Sequence, residues 1–549
     1  MNKIHSAKEL QHEESIERTA RSCYDSLSLA ACSGGTTTSS SSSSTASSGS
    51  STESSTASSE SEAAEDDPIL TGEKPELKIL SMYQAYNYEE QPTWKIDEEL
   101  TGYKTKWYAL PADNADQKLL LEISSGADYD ILLRISPSQY AQLSKQNALI
   151  DLSGMLDKYG SNIKSSISEL AWQSVTNDQG VVNGIPQENM LASKEEPYGM
   201  LTGGIGVRSD MLEELGMELP TNIDDFTAFL EAAKEKYGVA PLTSNKSSAF
   251  IQVLLSGFGM GEAEWYDIDG TYTHRIKHPQ ITAYLEYMQK LYKEGLMDND
   301  MPINTADNAK EKFASANAVA CAPLMFWDIP SMVNALATNN PDCKIEFVTD
   351  LAADANSKPT HYIMKGANFV SCISQSSKNP EHAINWLNIL SEPDNYRRTY
   401  IGEEGVSYEV IDGNYTPIFT GDDATNFNAY TNSDKLSGIS DSTVAFKMWQ
   451  ARARKTPEMA EAYEAMNSRV DEYEPLISIE LYGKTSPKVQ EYVTALNQAF
   501  GDSFLKAIVE GTDPDTAIAA MQADWDANGG LEVEAAMQEF YDANKSYTE

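Results

Sequence analysis

The chain has 549 residues, of which 83 are acidic and 41 are basic, so its formal net charge is −42. Such a charge repels nucleic acids and anionic membranes, which argues against both as direct partners. The length exceeds what one hydrophobic core usually supports and predicts two lobes with appendages, and no run reaches the roughly 18 apolar residues that a membrane helix needs.

Residues 1–31 are interpreted as an anomalous N-terminus that keeps the remnant of a lipoprotein signal. Leu29-Ala30-Ala31-Cys32 resembles the cleavage box of bacterial lipoproteins, in which the cysteine is lipidated and becomes the mature N-terminus. An export signal also needs a basic region and an apolar segment of about 7–15 residues, whereas residues 1–25 are polar and charged. The hypothesis is therefore that this start is not the native one, and a chance occurrence of the four residues is the alternative.

Residues 32–74 are predicted to form a disordered tether. Ser, Thr, Gly, Ala and acidic residues dominate from Thr36 to about Glu65, and this composition buries too little apolar area to offset the entropy of ordering. About 40 such residues have a reach on the order of 35–40 Å. The tether would then hold the folded part away from a membrane in which Cys32 is anchored.

The remaining cysteines favour buried free thiols. Downstream of Cys32 the chain has an odd number of them, namely Cys321, Cys343 and Cys372, and two lie in apolar runs typical of strands. The sequence has no C-x-x-C motif, which argues against metal binding and redox chemistry by these residues.

Five alternating segments open the folded part. Strands are predicted at 77–82, 103–110 and 130–133, and helices at 92–100 and 117–125. This order is typical of a doubly wound sheet, in which ligands bind beyond the carboxyl ends of the strands. The side chains that follow those ends are Tyr83, Tyr86, Arg134 and Ser136.

The stretch from Ile205 to Glu235 predicts a strand, a helix, a loop and a second helix. Ser209 or Asp210 can cap the first helix, and Gly216 is a natural stop. Thr221 or Asn222 can cap the second helix, whose apolar positions recur at helical spacing: Ile223, Phe226, Phe229, Leu230 and Ala233.

The second half continues the alternation. We predict a hairpin at 265–272 with its turn at Asp269-Gly270, a helix at 279–295, a strand at 318–324, a single strand at 362–374 and a helix at 380–390. The last quarter is predicted to be helical.

The order of residues in these segments resembles the bacterial extracellular solute-binding proteins, the carbohydrate-type receptors of ABC importers. The resemblance rests on the 205–235 stretch and on the helix that closes on Leu-Tyr-Lys-Glu-Gly-Leu at 291–296. The segment 400–408, YIGEEGVSY, is similar to the large Gram-positive lipoproteins of that family. Together the similar segments span about Leu77 to Lys545.

The resemblance implies an α/β, two-lobed, periplasmic-binding-protein-like (Venus flytrap) fold, with two doubly wound sheets joined by a hinge and a helical C-terminal region. Lobe one is expected at 75–187 and 361–415, and lobe two at 188–360 and 416–549. Some relatives carry a calcium loop after the second helix of the 205–235 stretch. Only Tyr237-Gly238-Val239 stands there, so no metal ion and no cofactor are expected.

A saccharide site needs aromatic rings for the apolar faces of the sugar, and polar or charged groups for its hydroxyls. Both kinds of side chain follow the predicted strand ends. The predicted ligand-binding residues are Tyr83, Tyr86, Arg134, Ser136, Glu188, Trp265, Phe326, Trp327, Asp328 and Asn368.

The function implied is that of a monomeric, lipid-anchored receptor on the extracellular face of a Gram-positive cell membrane. It would capture a carbohydrate or oligosaccharide between two closing lobes and deliver it to an ABC importer permease. A secreted polysaccharide-active enzyme and a receptor for another solute, such as a peptide or a modified amine, are the alternatives. Acid pairs such as Glu188 with Asp328 arise by chance among 83 acids, and no catalytic motif occurs in usable context, so no catalytic residue is expected.

Overall fold

The computed structural model describes residues 67–83, 87–111, 114–177, 179–189, 192–338, 340, 343–418, 427, 430 and 441–549. Its strands are, in chain order, β1 (Leu77–Ser81), β2 (Thr105–Ala109), β3 (Ile131–Ile135), β4 (Ile185–Glu188), β5 (Gly203–Arg208), β6 (Leu242–Ser244), β7 (Trp265–Ile268), β8 (Thr271–His274), β9 (Ala320–Met325), β10 (Ile345–Val348), β11 (Thr360–Met364), β12 (Ala367–Cys372), β13 (Tyr408–Ile411), β14 (Asn414–Pro417) and β15 (Glu474–Ser478).

The α-helices alternate with these strands in the first two thirds of the chain and dominate the last third. They are α1 (Pro68–Thr71), α2 (Pro92–Thr101), α3 (Ala115–Ser124), α4 (Pro137–Lys145), α5 (Ser153–Tyr159), α6 (Ser161–Ser166), α7 (Glu169–Val175), α8 (Ser209–Leu215), α9 (Ile223–Tyr237), α10 (Gln252–Ser256), α11 (Ile281–Lys293), α12 (Ala306–Ala314), α13 (Ile329–Ala337), α14 (Pro380–Leu390), α15 (Pro393–Ile401), α16 (Ser442–Ala453), α17 (Pro457–Asn467), α18 (Glu480–Thr485), α19 (Pro487–Gln490), α20 (Val493–Glu510), α21 (Pro514–Trp525) and α22 (Leu531–Asn544).

The first sheet has the strand order β2-β1-β3-β12-β4. Strand β1 runs parallel to both β2 and β3, as the strand–helix alternation predicts. Strand β12 arrives from far along the chain and runs antiparallel to β3 and β4. Every residue of β3 is buried, which is typical of a strand covered by helices on both faces.

The second sheet has the strand order β10-β5-β9-β6, with β5 antiparallel to both of its neighbours. The glycine-rich start of β5 has a steric cause. A Cβ atom on Gly204 would lie 2.3 Å from the carbonyl oxygen of Val348 in β10, so only glycine fits there. The glycines therefore allow close strand packing and do not open a helix.

Helices α8 and α9 confirm the prediction for 205–235. Phe226, Phe229 and Leu230 are each 0% exposed, and Asn222 caps α9 by accepting a hydrogen bond of 2.9 Å from the backbone N–H of Asp225. The predicted cap of α8 is wrong, because Ser209 is already its first helical residue and Arg208 holds the cap position. The Asp210 carboxylate instead pairs with the Arg208 guanidinium.

The strand predicted at 362–374 is two strands, β11 and β12, because the chain breaks at Lys365-Gly366. Strand β11 pairs in parallel with β15, and the backbone N–H of Lys365 donates to the Ser478 carbonyl at 2.8 Å. A Cβ on Gly366 would lie 2.1 Å from the Cβ of Leu481. The β11–β15 pair thus stands in the connection between the two sheets, where a hinge is expected.

The C-terminal helices contact elements of both sheets. Helices α20 and α21 pack on α11, which follows the β7–β8 hairpin, and the Phe250 ring lies 4.7 Å from that of Phe504 in α20. Helix α16 packs on α15, whereas α17 packs on α13 and β10. The helical C-terminus is confirmed, and the predicted lobe boundaries stay a prediction.

Residues 67–74 belong to the predicted tether, but the structure shows them folded. Asp67 caps α1 through a hydrogen bond of 2.9 Å to the Ile69 N–H, and its carboxylate pairs with Lys158 in α5 at 2.6 Å. Any tether must therefore end before Asp67. The rest of it, with the anomalous N-terminus and Cys32, lies outside the described residues.

The predicted buried thiols are confirmed for Cys321, Cys343 and Cys372, all of which are free and buried. Among the helices of the described ranges, none is both long and apolar enough to cross a membrane.

Candidate functional site

A cavity of about 500 Å³ lies where elements of both sheets and of the C-terminal region meet. The first sheet contributes Asn368 in β12, and the turn after β9 of the second sheet contributes Trp327. Helix α16 adds Phe446 and Trp449, and α18 adds polar side chains from the opposite end of the sequence. A smaller cavity of about 320 Å³ adjoins it and shares lining residues with it.

One wall of the large cavity is aromatic. Trp449 stacks on Phe446 with ring centroids 5.9 Å apart and an interplanar angle of 15°. Phe326 is buried behind this wall, with its ring edge against Trp327 at 5.0 Å and against Trp449 at 5.9 Å. The Trp327 ring is 50% exposed while Phe326 is only 3% exposed, so the buried ring supports the open one. Such a surface suits the apolar face of a ligand.

An ion network built around Lys484 also lines this cavity. Its ammonium contacts the carboxylates of Glu480, at 2.7 Å, and Glu264. Although burial opposes the charge on Lys484, the two carboxylates raise its pKa. Burial likewise opposes ionisation of Glu264, yet Lys484 lowers the pKa of that carboxyl to about 2, so Glu264 is ionised near neutral pH.

Glu480 also fixes the backbone of the loop before β7. Its carboxylate, which is 1% exposed, accepts hydrogen bonds from the backbone N–H groups of Glu264 at 2.8 Å and Trp265 at 2.9 Å. Removing one partner from such a buried network costs about 3–5 kcal/mol, because the other charges stay buried. The network therefore holds α18 and the loop in one geometry.

His361 of β11 and Asp350 form a buried pair between the two cavities. Burial alone would lower the pKa of His361, but Asp350 outweighs this effect and the pKa is raised. Asp350 thus favours the protonated form of His361, whose positive charge would partly offset the carboxylates of the cavity. Because β11 connects the sheets, the charge pair sits where a hinge movement would act.

Asn189 brings a polar atom without a protein partner to the large cavity. Its backbone N–H donates to the Gly366 carbonyl at 2.8 Å, and its Nδ2 donates to the Met364 carbonyl at 2.7 Å. The side-chain oxygen Oδ1 is buried and has no hydrogen-bond donor from the described residues. Its capacity to accept hydrogen bonds is therefore unused among the described residues.

Of the sequence-predicted site residues, Trp327 and Asn368 line the large cavity, and Phe326 lies directly behind it. Tyr83 is 51% exposed but lines neither cavity. Tyr86 lies outside the described residues.

Five other predicted residues have side chains that are engaged in the fold, and their contact with a ligand stays a prediction. Trp265 is 1% exposed and packs against Tyr272 and His274. Ser136 caps α4 in a capping box with Gln139. The remaining three are held by neighbours: Glu188 by Ser168 and Tyr482, Asp328 by Lys310 and the Met325 N–H, and Arg134 over the Phe369 ring.

Sequence reasoning missed the polar side of the cavity. Residues 262–265 alternate between exposed and buried, as successive residues of an extended chain do. Glu262 and Glu264 reach solvent, whereas Ala263 and Trp265 are buried. That alternation was a usable signal, since it turns the two acids toward the cavity and Trp265 away from it. Glu480 and Lys484 lie four residues apart on α18, and an acid and a base at this spacing are common on helices, so the pair did not indicate a site. His361 and Phe446 gave no specific signal.

Within the described ranges, no group of three or more His, Cys, Asp or Glu side chains is arranged to hold a metal ion. The carboxylates of Glu264 and Glu480 instead contact Lys484, and that of Glu480 also accepts from backbone N–H groups. The carboxylate of Glu262 faces the open space of the cavity.

The family model described as bacterial extracellular solute-binding protein matches residues 84–396. An uncharacterized protein from the butB 5′ region of Niallia circulans is 31% identical over 262 residues, which cover 47% of this chain and 98% of that protein. Lipoprotein LipO of Bacillus subtilis (strain 168) is 23% identical over 373 residues, which cover 63% of this chain and 70% of that protein.

Solved structures with the same architecture cover most of this chain. The alginate-binding protein AlgQ2 matches with a TM-score of 0.65 and 19% identity, over 86% of this chain and 99% of that one. The Streptococcus pneumoniae ABC-transporter substrate-binding protein FusA, in complex with kestose, matches with a TM-score of 0.63 and 17% identity, over 86% of this chain and 100% of that one. These matches confirm the predicted two-lobed α/β fold.

The His361–Asp350 pair predicts a pH dependence of stability. Because the folded-state pKa of His361 is raised, its contribution is complete below the unfolded value of about 6.5 and is lost as the pH rises through the folded-state value. Thermal unfolding midpoints measured from about pH 6 to pH 9 should therefore fall more steeply for the wild type than for the double variant His361→Gln/Asp350→Asn.

His278→Gln is the matched control. Burial lowers the pKa of His278 to about 4, so this side chain is neutral in the folded protein across the range, and above about pH 7.5 it is neutral in the unfolded chain as well. Its replacement should therefore leave the slope unchanged above about pH 7.5, where the wild type and the double variant should still differ. Equal slopes for the wild type and the double variant would contradict the role assigned to the pair.

Proposed function

Because the chain belongs to the bacterial extracellular solute-binding protein family, we propose that it captures a carbohydrate or oligosaccharide in its large cavity and delivers it to the permease of an ABC importer. The observation that carries this proposal is an aromatic wall, formed by Trp327, Phe446 and Trp449, facing a polar side in a cavity lined from both lobes. FusA, whose fold is similar, is named as a complex with kestose.

The two sides of the cavity suit the two faces of a sugar. The C–H face of a pyranose ring packs on an aromatic ring, and its hydroxyls need fixed donors and acceptors. The Asn368 side chain and the carboxylate of Glu262 supply acceptors, and the amide of Asn368 also supplies a donor. Charged acceptors make the stronger hydrogen bonds to hydroxyls.

Capture would work by lobe closure. A ligand between the lobes touches both of them fully only when they approach each other, so it shifts the open–closed equilibrium by its differential affinity for the closed form. The β11–β15 pair and the His361–Asp350 pair lie in the connection about which such a movement would occur. A permease could then recognise the closed form.

We propose that no bond of the ligand is broken. A glycosidase needs one carboxyl group as an acid and a second as a nucleophile or base. Glu264 is held ionised by Lys484, and Glu480 contacts the same ammonium and also accepts hydrogen bonds from two backbone N–H groups. These carboxylates are arranged to hold the protein in shape.

The proposal also includes a lipid anchor at Cys32, the extracellular face of a Gram-positive membrane as location, and a monomeric state. The LAAC box and the long polar segment after it support the anchor, and a relative is named as lipoprotein LipO.

Lobe closure is tested by small-angle X-ray scattering. The radius of gyration of the protein should decrease when a saccharide that binds, as found by thermal-shift screening of oligosaccharides against peptides, is added at saturation. An unchanged radius at saturation would contradict closure, and release of shorter saccharides during the incubation would identify an enzyme instead.

The aromatic wall is tested by Trp327→Ala. Loss of an exposed stacking surface should weaken binding of the same saccharide by about tenfold or more, measured by isothermal titration calorimetry. Tyr108→Ala is the matched control, because Tyr108 is 37% exposed on the edge strand β2 and lines neither cavity. Equal affinities of the wild type and Trp327→Ala would remove Trp327 from the site.

The anchor is tested by Cys32→Ser, expressed in a Gram-positive host with a functional lipoprotein signal placed before residue 29. The wild-type cysteine should incorporate radiolabelled fatty acid and stay in the membrane fraction, whereas the variant should appear in the medium. Cys343→Ser, a buried cysteine far from the N-terminus, should leave labelling unchanged. Fatty-acid labelling of Cys32→Ser would place the anchor elsewhere.

A further inference from the structure

Glu262 differs from the other acids around the two cavities. Glu264 and Glu480 pair with Lys484, and Asp350 pairs with His361. In the part of the chain that the structure describes, no salt bridge involves Glu262, and its only side-chain hydrogen bond comes from Gln252 Nε2 at 3.5 Å, the outer limit for such a bond. Its carboxylate therefore keeps nearly all of its acceptor capacity.

Glu262 lies where its carboxylate can accept hydrogen bonds from a ligand. Its side chain is accessible to solvent, yet it stands among protein groups on most sides and lines both the 500 Å³ and the 320 Å³ cavity. Burial raises the pKa of Glu262, and the negative charges of Asp350 and Glu480 act in the same direction, while the positive charges of His361 and Arg275 oppose this rise. A ligand that bridges the two cavities must pass this carboxylate.

The charges around the cavities leave a negative excess. Four carboxylates line them, on Glu262, Glu264, Glu480 and Asp350, against the two cations of Lys484 and His361. Arg275 is near but turned to the backbone, where its guanidinium donates to the carbonyls of Glu262 at 3.2 Å and Ala263. The whole chain adds a net charge of −42. An anionic group at Glu262 would meet this carboxylate at close range, in a lining where carboxylates outnumber cations.

We propose that Glu262 sets the charge selectivity of the site: it pairs with a protonated amine of the saccharide, accepts neutral saccharides less well, and excludes those that carry uronate carboxylates. This inference rests on the proposed function. When the lobes close, water is removed from Glu262, and an ionised carboxylate buried without a partner is costly. An ammonium group supplies both the opposite charge and N–H donors, whereas hydroxyls supply donors only.

The test uses saccharides that share a backbone and differ in charge. One series is β-1,4-linked tetrasaccharides of glucosamine, glucose and glucuronate, and a second is α-1,4-linked tetrasaccharides of galactosamine, galactose and galacturonate. Dissociation constants are measured by calorimetry at low ionic strength, at a pH where the amines are protonated and the uronates ionised. In at least one series the wild type should bind the amine form at least tenfold more tightly than the neutral form, with the uronate form weakest.

Glu262→Gln keeps the shape of the side chain and removes its charge. In this variant the affinity for the amine form should fall by at least tenfold more than that for the neutral form, and the uronate form should gain affinity. Glu409→Gln changes the net charge equally on exposed β13 and should leave the order unchanged. Unfolding midpoints of both variants check that the fold is intact.

The outcomes separate the two proposals. Binding of saccharides without this order, or an order that Glu262→Gln leaves intact, overturns the charge selectivity while the receptor function stands. Failure of every saccharide in both series to bind contradicts the proposed function and this inference together.

Discussion

The ammonium of Lys484 sits between two carboxylates that come from distant parts of the chain, and the geometry of the large cavity depends on it. Glu264 belongs to the loop before the β7–β8 hairpin, and Glu480 starts α18 more than 200 residues later. Loss of any one of these three side chains would destabilise the fold, because the remaining ones would stay buried without their partner in surroundings of low polarity. The network fixes where one side of the cavity stands, and the aromatic rings of α16 face it from the other.

Much of the scaffold could be predicted from the sequence. Apolar spacing and end signals located α9 and α14 and the hairpin β7–β8 within a few residues, because these depend on local order along the chain. Trp327 and Asn368, which line the large cavity, were proposed as ligand contacts because they were assigned to loops at predicted strand ends. The break between β11 and β12 was missed, because it is imposed by Leu481, which packs against Gly366 from a distant part of the sequence.

The polar side of the cavity was harder to predict for a physical reason. An acid at a strand end has no fixed role until its neighbours in space are known. Glu188 occupies the predicted place, but Ser168 and Tyr482 use its carboxylate. Glu262 was overlooked beside the more conspicuous Trp265, although alternate exposure along residues 262–265 separates the two roles. Which carboxylate stays open is decided by tertiary contacts that no local pattern contains.

The pairing of β15 with β11 sets an order of events during synthesis. Strand β11 pairs with β15 from Thr360 and Glu474 onward. A growing chain that stops short of Glu474 therefore contains every strand of both large sheets, but its β11 has no partner strand. Glu480 and Lys484 come later still. A nascent or proteolytically shortened chain of that length would lack the partner strand of β11 and the Lys484 ion network, so the lining of the large cavity would be complete only once the residues from Glu474 onward have folded back onto the earlier strands.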